Sequence, residues 1–276
     1  MTIVKYFLLA IIILILIFPL YWMIQGSFLN TAGIMHMPPR LIPKNLITTN
    51  YETLIFGQRN IPDTYFFNWI VNSAILIGLA IALTVALTLP AGYAFSVYKF
   101  KGRKGLFWLF MSTMMVHRYI LIIPMFVVIR KLHLPSRLAA VLPLAFSPLL
   151  IFLTKNFVDT IPRSLLDYAT LEGVGELRKI FTLILPLCGP LVGVLALFSG
   201  LGAFGDYLWQ LLLFFKVGDQ TLPVGLIQRT RQTIVNIEPI GLSLAAGTIL
   251  FMVMFVIFLF TSKYFTRGLS LQGVKG

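Results

Sequence analysis

The sequence predicts an all-α integral membrane protein with six transmembrane helices and with both termini on the cytoplasmic side. Three observations support this prediction. The chain is 58% hydrophobic and only 11% charged, its apolar residues fall into six long runs, and a compact basic cluster separates two of the runs. One soluble core could not bury so much apolar surface, so we expect a single transmembrane domain over residues 1–276.

Each of the six apolar runs is long enough to cross the hydrocarbon layer, which takes about 20 helical residues. We interpret the first run as a retained span. It is too long for an ordinary signal-peptide core and has no A-x-A-like cleavage site. The predicted spans are 6–24, 69–94, 106–129, 138–157, 184–204 and 242–260.

The distribution of Lys and Arg sets the expected orientation. Four basic residues lie in the short gap between the second and third spans, and short loops contribute most of the positive-inside signal. This gap and both termini should therefore be cytoplasmic, and the segments 27–68 and 205–241 should be extracytoplasmic. The other basic residues form no basic face, so the net charge of +13 does not indicate nucleic-acid binding. The four residues are Lys99, Lys101, Arg103 and Lys104.

The predicted spans contain many helix breakers. Proline in a membrane helix is tolerated where neighbouring helices or a wet cavity satisfy the freed backbone groups. The sequence therefore predicts a packed bundle with hinges inside its spans. The prolines are Pro90, Pro124, Pro143, Pro148, Pro186 and Pro190.

Motifs for catalysis are missing from the sequence. A literal G-x-G-x-x-G at 200–205 lies at the end of a membrane span instead of in a βαβ unit, so it does not indicate a dinucleotide site. No G-x-x-x-x-G-K-[ST] phosphate loop is present. The histidines have no metal-ligand spacing, so we predict no catalytic residue, no metal site and no cofactor bound by this chain. They are His36, His117 and His133.

A charged segment with several glycines lies between the fourth and fifth spans, at about 158–183. Pro162 can start a helix there, and we expect Ser164 to cap it in a capping-box relation with Asp167. Gly173 permits the left-handed turn that would end this helix. A second helix from 176 to 184 would then lead into the fifth span, so the segment is predicted to offer a shaped, charged surface to a soluble partner.

Several motifs together resemble one family. Asp167-Tyr168-Ala169 with Gly173, followed by Leu185-Pro186-Leu187 and Pro190, resembles the E-A-A-x-x-x-G loop and the L-P-L-x-x-P motif of permease subunits in bacterial ATP-binding-cassette importers. Further stretches are similar to the carbohydrate, or maltose-type, branch and follow its order along the chain. They are 19–23, 72–73, 91–94, 100–103, 205–209, 222–226, 267–269 and 273–276.

The resemblance implies the type I importer permease fold in a multi-pass subunit of the bacterial cytoplasmic membrane. It implies a second homologous permease subunit, an ATPase dimer that binds ATP and Mg, an extracytoplasmic solute-binding protein, and a sugar or oligosaccharide as cargo. Within the lipid bilayer, this non-catalytic chain would form half of the translocation path.

The resemblance also assigns the contact with the ATPase to the charged loop. Asp167 would be the acidic contact, Ala169 the small residue that allows close approach, and Gly173 the turn. Tyr168 stands where the family usually has alanine, which either weakens the close fit of this helix or requires a partner groove shaped for it. Tyr168 and Leu165 contact either the partner or the loop's own second helix. The predicted coupling set is completed by Glu172, Leu185 and Pro186.

His117 and Arg118 lie inside the third predicted span, where charge is costly, by roughly 2.5–3.5 kcal/mol for Arg on insertion scales. One interpretation is that the helix breaks here and Arg118 snorkels or pairs with the partner permease. In the other, both residues line the translocation path and bind sugar hydroxyls or a carboxylate, which would suit an acidic saccharide. Further path candidates from the family motifs are Asn72, Asp206, Tyr207 and Trp209.

Two other classes of membrane protein are alternatives to the importer. An ion-coupled secondary transporter would place acids or broken-helix ion sites near mid-membrane, and no acid interrupts the predicted spans. A polytopic enzyme or receptor without an ATPase would need a compact set of intramembrane acids, bases or metal ligands, and the sequence contains none. The importer is therefore the favoured interpretation.

Overall fold

The computed structural model describes residues 2–38, 40–43, 46–58, 61–62, 65–233 and 240–270. Its regular structure is helical except for one short antiparallel pairing, of β1 (Gly57–Gln58) with β2 (Ile61–Pro62). The family motif at 273–276 lies outside the described residues, as do parts of the two segments predicted to be extracytoplasmic.

Helices account for all of the predicted spans. Short 3-10 turns occupy Thr113–Met115, Arg118–Leu121 and Val217–Asp219, and one π-helical segment occupies Ile180–Ile184. The α-helices are α1 Thr2–Ser27, α2 Thr31–Ile34, α3 Thr49–Phe56, α4 Phe66–Val97, α5 Arg103–Ser112, α6 Ile122–Lys131, α7 Ser136–Ala145, α8 Pro148–Asp159, α9 Arg163–Leu171, α10 Glu176–Lys179, α11 Leu185–Leu187, α12 Gly189–Gly205, α13 Tyr207–Leu213, α14 Leu222–Thr233 and α15 Ile240–Ser270.

Three spans are single helices and three are pairs of helices bent at a short break. The unbroken ones, Val4–Ser27, Phe66–Val97 and Ile240–Ser262, are long and apolar enough to cross a membrane. If each bent pair is one span, the prediction of six transmembrane spans is confirmed. The bent pairs are Arg103–Met115 with Arg118–Lys131 at 92°, Ser136–Ala145 with Pro148–Asp159 at 50°, and Glu176–Leu187 with Gly189–Gly205 at 89°.

Only some of the prolines mark these breaks. Pro148 occupies the first turn of α8, where its missing N–H removes no helical hydrogen bond. Pro90 and Pro143, in contrast, lie inside α4 and α7, and both helices continue through them. Bends are therefore present inside three spans, but proline alone does not locate them, and a hinge motion at these bends stays a prediction.

The fifth predicted span, 184–204, contains a sharp turn that the sequence did not indicate. The chain turns by 89° between Glu176–Leu187 and Gly189–Gly205. Cys188, between the two helices, leaves helical geometry, and Gly189 and Pro190 begin the next helix. Hydropathy alone could not indicate this turn, because apolar residues continue through it.

The described chain divides into two compact units. The first comprises Met1–Asn72 with Lys216–Met254, and the second comprises Ser73–Phe215 with Phe255–Gly276. In α1 the side chains of residues 4–19 are exposed. An apolar helix exposed all round needs lipid or a partner helix to cover it, which agrees with an integral membrane protein.

The first unit is organised around the indole of Trp69, which is 2% exposed. The indole N–H donates to the Val217 carbonyl at 2.7 Å, and the Arg229 guanidinium lies 4.6 Å from the ring centroid. A Cβ added at Gly225 would lie 2.2 Å from the indole, so only glycine fits there. The family motif at 222–226 thus has a packing role in this unit.

The second unit contains two hydrophobic core clusters, and α4 contributes to both. Leu76 and Ala80 belong to one, whereas Leu89 and Tyr93 belong to the other. At 1.5 Å per helical residue, Leu76 and Tyr93 lie about 25 Å apart along α4. The first core cluster is Leu89, Tyr93, Leu150, Val158, Ile161, Leu166, Ile180, Ile184, Cys188, Leu191 and Leu195. The second core cluster is Leu76, Ala80, Ile129, Ala139, Ala140, Val141, Ala203, Trp209, Leu213 and Phe214.

Candidate coupling surface and translocation path

The charged loop forms a short helix, α9, and a glycine turn. The left-handed turn predicted at Gly173 is confirmed, with φ of 71° and with the Val174 N–H donating to the Ala169 carbonyl at 3.1 Å. The prediction that Ser164 caps the helix is wrong. Pro162 is the N-cap residue and makes no side-chain capping bond, so α9 starts one residue before Ser164.

Helix α9 presents two different faces. Leu166 and Ala169 face inward and are 4% and 9% exposed. Leu165, Tyr168 and Leu171 lie on the other side and are 41%, 65% and 87% exposed. A side chain this exposed is not packed against the second helix of the loop, and the contact of Tyr168 with a partner stays a prediction.

The remaining residues of the predicted coupling set occupy different positions. Asp167 and Glu172 are exposed and take part in none of the ion pairs found among the described residues. Leu185 packs against the first core cluster, and Pro186 lies exposed in α11 just before the turn at Cys188. Their roles in coupling stay predictions.

A polar network, here called the Glu176 network, joins α9 to the end of α4. It comprises Tyr93, Tyr98, Thr170, Glu176 and Lys179. The Lys179 side chain is 3% exposed, and its ammonium donates to Thr170 Oγ1 at 2.8 Å and to Glu176 Oε1 at 2.6 Å. The hydroxyls of Tyr93 and Tyr98 donate to Glu176 Oε2 at 3.1 and 2.6 Å. Partial burial, followed by this hydrogen bond, raises the pKa of Tyr98 to about 12, so Tyr98 remains a donor at neutral pH.

A second network, here called the Asp159 network, lies at the start of α9 and comprises Ser96, Lys155, Asp159 and Arg163. The Ser96 hydroxyl donates to Asp159 Oδ1 at 2.5 Å, and Lys155 pairs with Asp159 Oδ2 at 2.6 Å. Arg163 Nη2 donates to the Ser96 carbonyl at 3.1 Å and reaches Asp159 Oδ1 at 3.4 Å. The first residue of α9 is thus bound to the last turn of α4.

In the third span, the helix breaks at Val116 and His117, just before Arg118, and one interpretation of the sequence expected a break here. Arg118 forms an ion pair with Asp206 of the same chain. The Asp206 side chain is 6% exposed and that of Arg118 is 37% exposed. Two path candidates are therefore brought together, and the positive charge is neutralised within this subunit.

The residues next to this pair include exposed side chains and a polar group without a hydrogen-bond partner in the part of the chain that the structure describes. The exposed His117 imidazole accepts a long hydrogen bond from the Tyr119 N–H at 3.4 Å, and the two rings lie 5.2 Å apart. The hydroxyl oxygen of the half-buried Tyr207 is buried and has no hydrogen-bond partner among the described residues. This region combines charge, hydroxyl and aromatic groups, which a saccharide can use.

The last two path candidates, Asn72 and Trp209, donate hydrogen bonds to backbone carbonyls. Asn72 donates to the Gly218 and Gln220 carbonyls at 2.9 and 3.0 Å. Trp209 is 1% exposed, and its indole N–H donates to the Ala139 carbonyl at 3.1 Å. Both side chains hold neighbouring segments in place, and a direct contact with cargo stays a prediction for them. Among the described residues, no three His, Cys, Asp or Glu side chains are grouped so that they could hold a metal ion.

Sequence reasoning did not find either polar network. The partners of Glu176 at the end of α4 and just after it, Tyr93 and Tyr98, are 83 and 78 residues away, and Ser96 lies 63 residues from Asp159. The local signals were the spacings of Glu176 with Lys179 and of Asp159 with Lys155 and Arg163, three or four residues apart, which favour pairs on a helix.

The chain is similar to known transport proteins over nearly its whole length. Residues 85–271 match the family described as binding-protein-dependent transport system inner membrane component. The chain is 32% identical to the arabinooligosaccharides transport system permease protein AraQ of Halalkalibacterium halodurans, with 97% of this chain and 94% of the relative covered. It is 30% identical to the galactooligosaccharides transport system permease protein GanQ of Bacillus subtilis, with 99% and 95% covered.

The fold is also that of a solved transporter subunit. A chain in the crystal structure of a bacterial ABC transporter involved in the import of the acidic polysaccharide alginate has a TM-score of 0.78 and 20% identity, with 96% of both chains covered. The predicted permease fold is thereby confirmed. Because the relatives are named permease proteins of transport systems, the chain is a non-catalytic transport subunit, and it belongs to the family of binding-protein-dependent transport system inner membrane components.

Proposed function

We propose that this chain is a membrane-spanning subunit of an ATP-driven importer for a sugar or oligosaccharide in the bacterial cytoplasmic membrane. It forms half of the translocation path beside a second permease subunit, receives cargo from a solute-binding protein and docks an ATPase through residues 158–183. The family description and the oligosaccharides named for the relatives AraQ and GanQ support this proposal.

The observation that carries the docking role is the outer face of α9. Tyr168 and Leu171 are 65% and 87% exposed, and the acids Asp167 and Glu172 lie beside them. Apolar side chains grouped with charge on an exposed helix are typical of a protein contact, since lipid would not accommodate the charges. The occupant is an ATPase subunit, and the loop faces the cytoplasm together with both termini.

The Arg118–Asp206 pair marks the part of the path that this subunit contributes. An ion pair within a membrane protein is costly and usually faces a wet cavity or the bundle interior. Since Asp206 neutralises Arg118, the pair suits the hydroxyls of a neutral saccharide. The carboxylate of an acidic saccharide would have to take the place of Asp206 on the guanidinium.

The docking role is tested by replacing Tyr168 and Leu171 with Ser. Both side chains are exposed, so the fold should survive while the apolar contact is lost. Truncation of central apolar contacts commonly lowers affinity by tenfold or more. We therefore expect roughly tenfold less ATPase to co-purify with the Tyr168→Ser/Leu171→Ser permease, with a corresponding fall in uptake.

The matched control is Phe56→Ser. Phe56 is 63% exposed at the end of α3, in the segment expected on the opposite side of the membrane, so its replacement should leave the amount of bound ATPase unchanged. Full ATPase binding and normal uptake in the double variant would show that α9 is not the docking surface.

A further inference from the structure

We propose that α4 is the helix through which α9 moves the transmembrane part of the second unit, and that Tyr93 and Ser96 are the positioning residues that join the two helices. This inference rests on the proposed function, because it assumes that α9 receives the motion of an ATPase. It adds the element that takes up this motion and the side chains that transmit it.

The first connection is at the N-terminal end of α9. Arg163, the first residue of α9, donates to the Ser96 carbonyl and approaches the Ser96 hydroxyl at 3.3 Å. Ser96 is 3% exposed and donates in turn to Asp159 at 2.5 Å. A displacement of this end of α9 is therefore transferred to the last turn of α4 by charge-assisted hydrogen bonds, which are the stronger kind.

The second connection is at the C-terminal end of α9. Thr170 accepts from the buried Lys179 ammonium, and Lys179 pairs with Glu176. Glu176 accepts the hydroxyl of Tyr93, which is 1% exposed. The four side chains form a continuous path from α9 to α4.

The two connections meet α4 on one face. Tyr93 and Ser96 are three residues apart, so their side chains lie on the same side of the helix. With a connection to α4 at each end of α9, a tilt of α9 as well as a shift is transmitted. A single contact would allow α9 to pivot.

The continuity of α4 makes it suited to this role. Three of the six spans are broken by bends of 50° to 92°, and a break can absorb motion as a hinge. Helix α4 is unbroken over its 32 residues. It carries both the connections at Tyr93 and Ser96 and, nearer its other end, Leu76 and Ala80 of the second core cluster. Motion applied at one end of the second unit therefore reaches its other core cluster about 25 Å away.

The test uses the whole reconstituted importer with the Tyr93→Phe and Ser96→Ala variants, alone and combined. Each change removes one hydroxyl that donates to a carboxylate, and such bonds are strong enough for their loss to shift an equilibrium about tenfold. We expect the double variant to keep its ATPase subunit and its ATP hydrolysis, and to transport roughly tenfold less sugar per ATP hydrolysed. A purely structural role would lower both rates together and leave their ratio unchanged.

The matched control is Thr84→Val on the same helix. Thr84 is fully buried, and its hydroxyl has no hydrogen-bond partner among the described residues, so the ratio should match that of the unmodified importer. Tyr98→Phe, at the more exposed ring, is a milder variant with an intermediate loss. A double variant with the ratio of Thr84→Val would overturn the inference, as would one that loses its ATPase subunit. Absence of ATPase from the unmodified complex would instead refute the proposed function.

Discussion

The charged groups at the two core clusters of the second unit are arranged in contrasting ways. Beside the second core cluster, a single ion pair joins Arg118 to Asp206, and the Arg118 side chain remains 37% exposed. Beside the first, the Glu176 and Asp159 networks join several elements. The Lys179 side chain there is 3% exposed, and its ammonium has two acceptors.

The difference suggests two different tasks: contact with a solute at the Arg118–Asp206 pair, and transmission of motion between helices at the two networks. The Arg118–Asp206 pair has an open side, so groups of a passing solute can replace or extend its hydrogen bonds. In the two networks, the side chains of Glu176 and Arg163 are 47% and 48% exposed, but Tyr93, Ser96 and Lys179 are buried. These buried groups are hydrogen-bonded to neighbouring elements, and satisfied buried polar groups make their surroundings rigid. The first arrangement suits a path, and the second suits a connection between α9 and α4.

The largest expected effect comes from Asp206→Asn, which leaves Arg118 without its counter-charge. Breaking a buried ion pair from one side costs about 3–5 kcal/mol, and the lower end applies because Arg118 is partly exposed. We expect a marked fall in the thermal unfolding midpoint of the purified complex, measured in detergent.

The double variant Arg118→Met/Asp206→Leu provides the control. Replacing both charges by apolar groups is often neutral for stability, so the unfolding midpoint should recover. Uptake of neutral oligosaccharide should stay low if the pair lines the path and should recover with stability if the pair is only structural. An unchanged thermal unfolding midpoint in Asp206→Asn would show that the Arg118–Asp206 pair does not stabilise this region, and would contradict the comparison with the two networks.

The next effect concerns the packing that supports the two networks. A Cβ added at Gly92 would lie 2.4 Å from Thr154 Cγ2 and 2.9 Å from the Lys155 backbone nitrogen, so α4 and α8 would have to move apart. Overpacking of this kind costs about 1–3 kcal/mol. We expect Gly92→Ala to lower the unfolding midpoint and also the sugar transported per ATP, since the displaced α4 carries Tyr93 and Ser96.

Gly78→Ala on the same helix is the matched control for this substitution. An added Cβ at Gly78 meets no atom within 4 Å, and alanine is the better helix former. The midpoint should therefore stay constant or rise slightly. Equal losses in both variants would mean that glycine flexibility, and not close packing, matters in α4.

The sequence was sufficient for the features that depend on local chemistry. Six apolar runs predicted six spans. The glycine at position 173 predicted a left-handed turn, because glycine adopts positive φ more readily than any other residue. The break just before Arg118 was expected as one alternative, since an arginine is poorly tolerated in a continuous membrane helix.

Features that depend on distant partners could not be predicted. Asp206 lies 88 residues from Arg118. The sequence therefore offered snorkelling, a partner permease or the cargo for Arg118, and a pair within the chain was not considered. The start of α9 was missed for the same reason. Arg163 begins the helix, and its side chain is held by Ser96, 67 residues earlier, whereas the local pattern favoured Ser164 as the cap.

The smallest expected effect comes from Lys155→Met, and it separates essential from dispensable charges within the Asp159 network. Lys155 and Asp159 form an i,i+4 pair whose side chains are 24% and 33% exposed, and such pairs contribute about 0.5 kcal/mol. The unfolding midpoint should therefore fall by about 1 °C, given the usual relation between stability and midpoint. Ser96 and Arg163 still bind Asp159 in this variant, so transport per ATP should not change. A loss of transport as large as that in Ser96→Ala would mean that the charge of Lys155, and not the connection to α4, sets the position of α9.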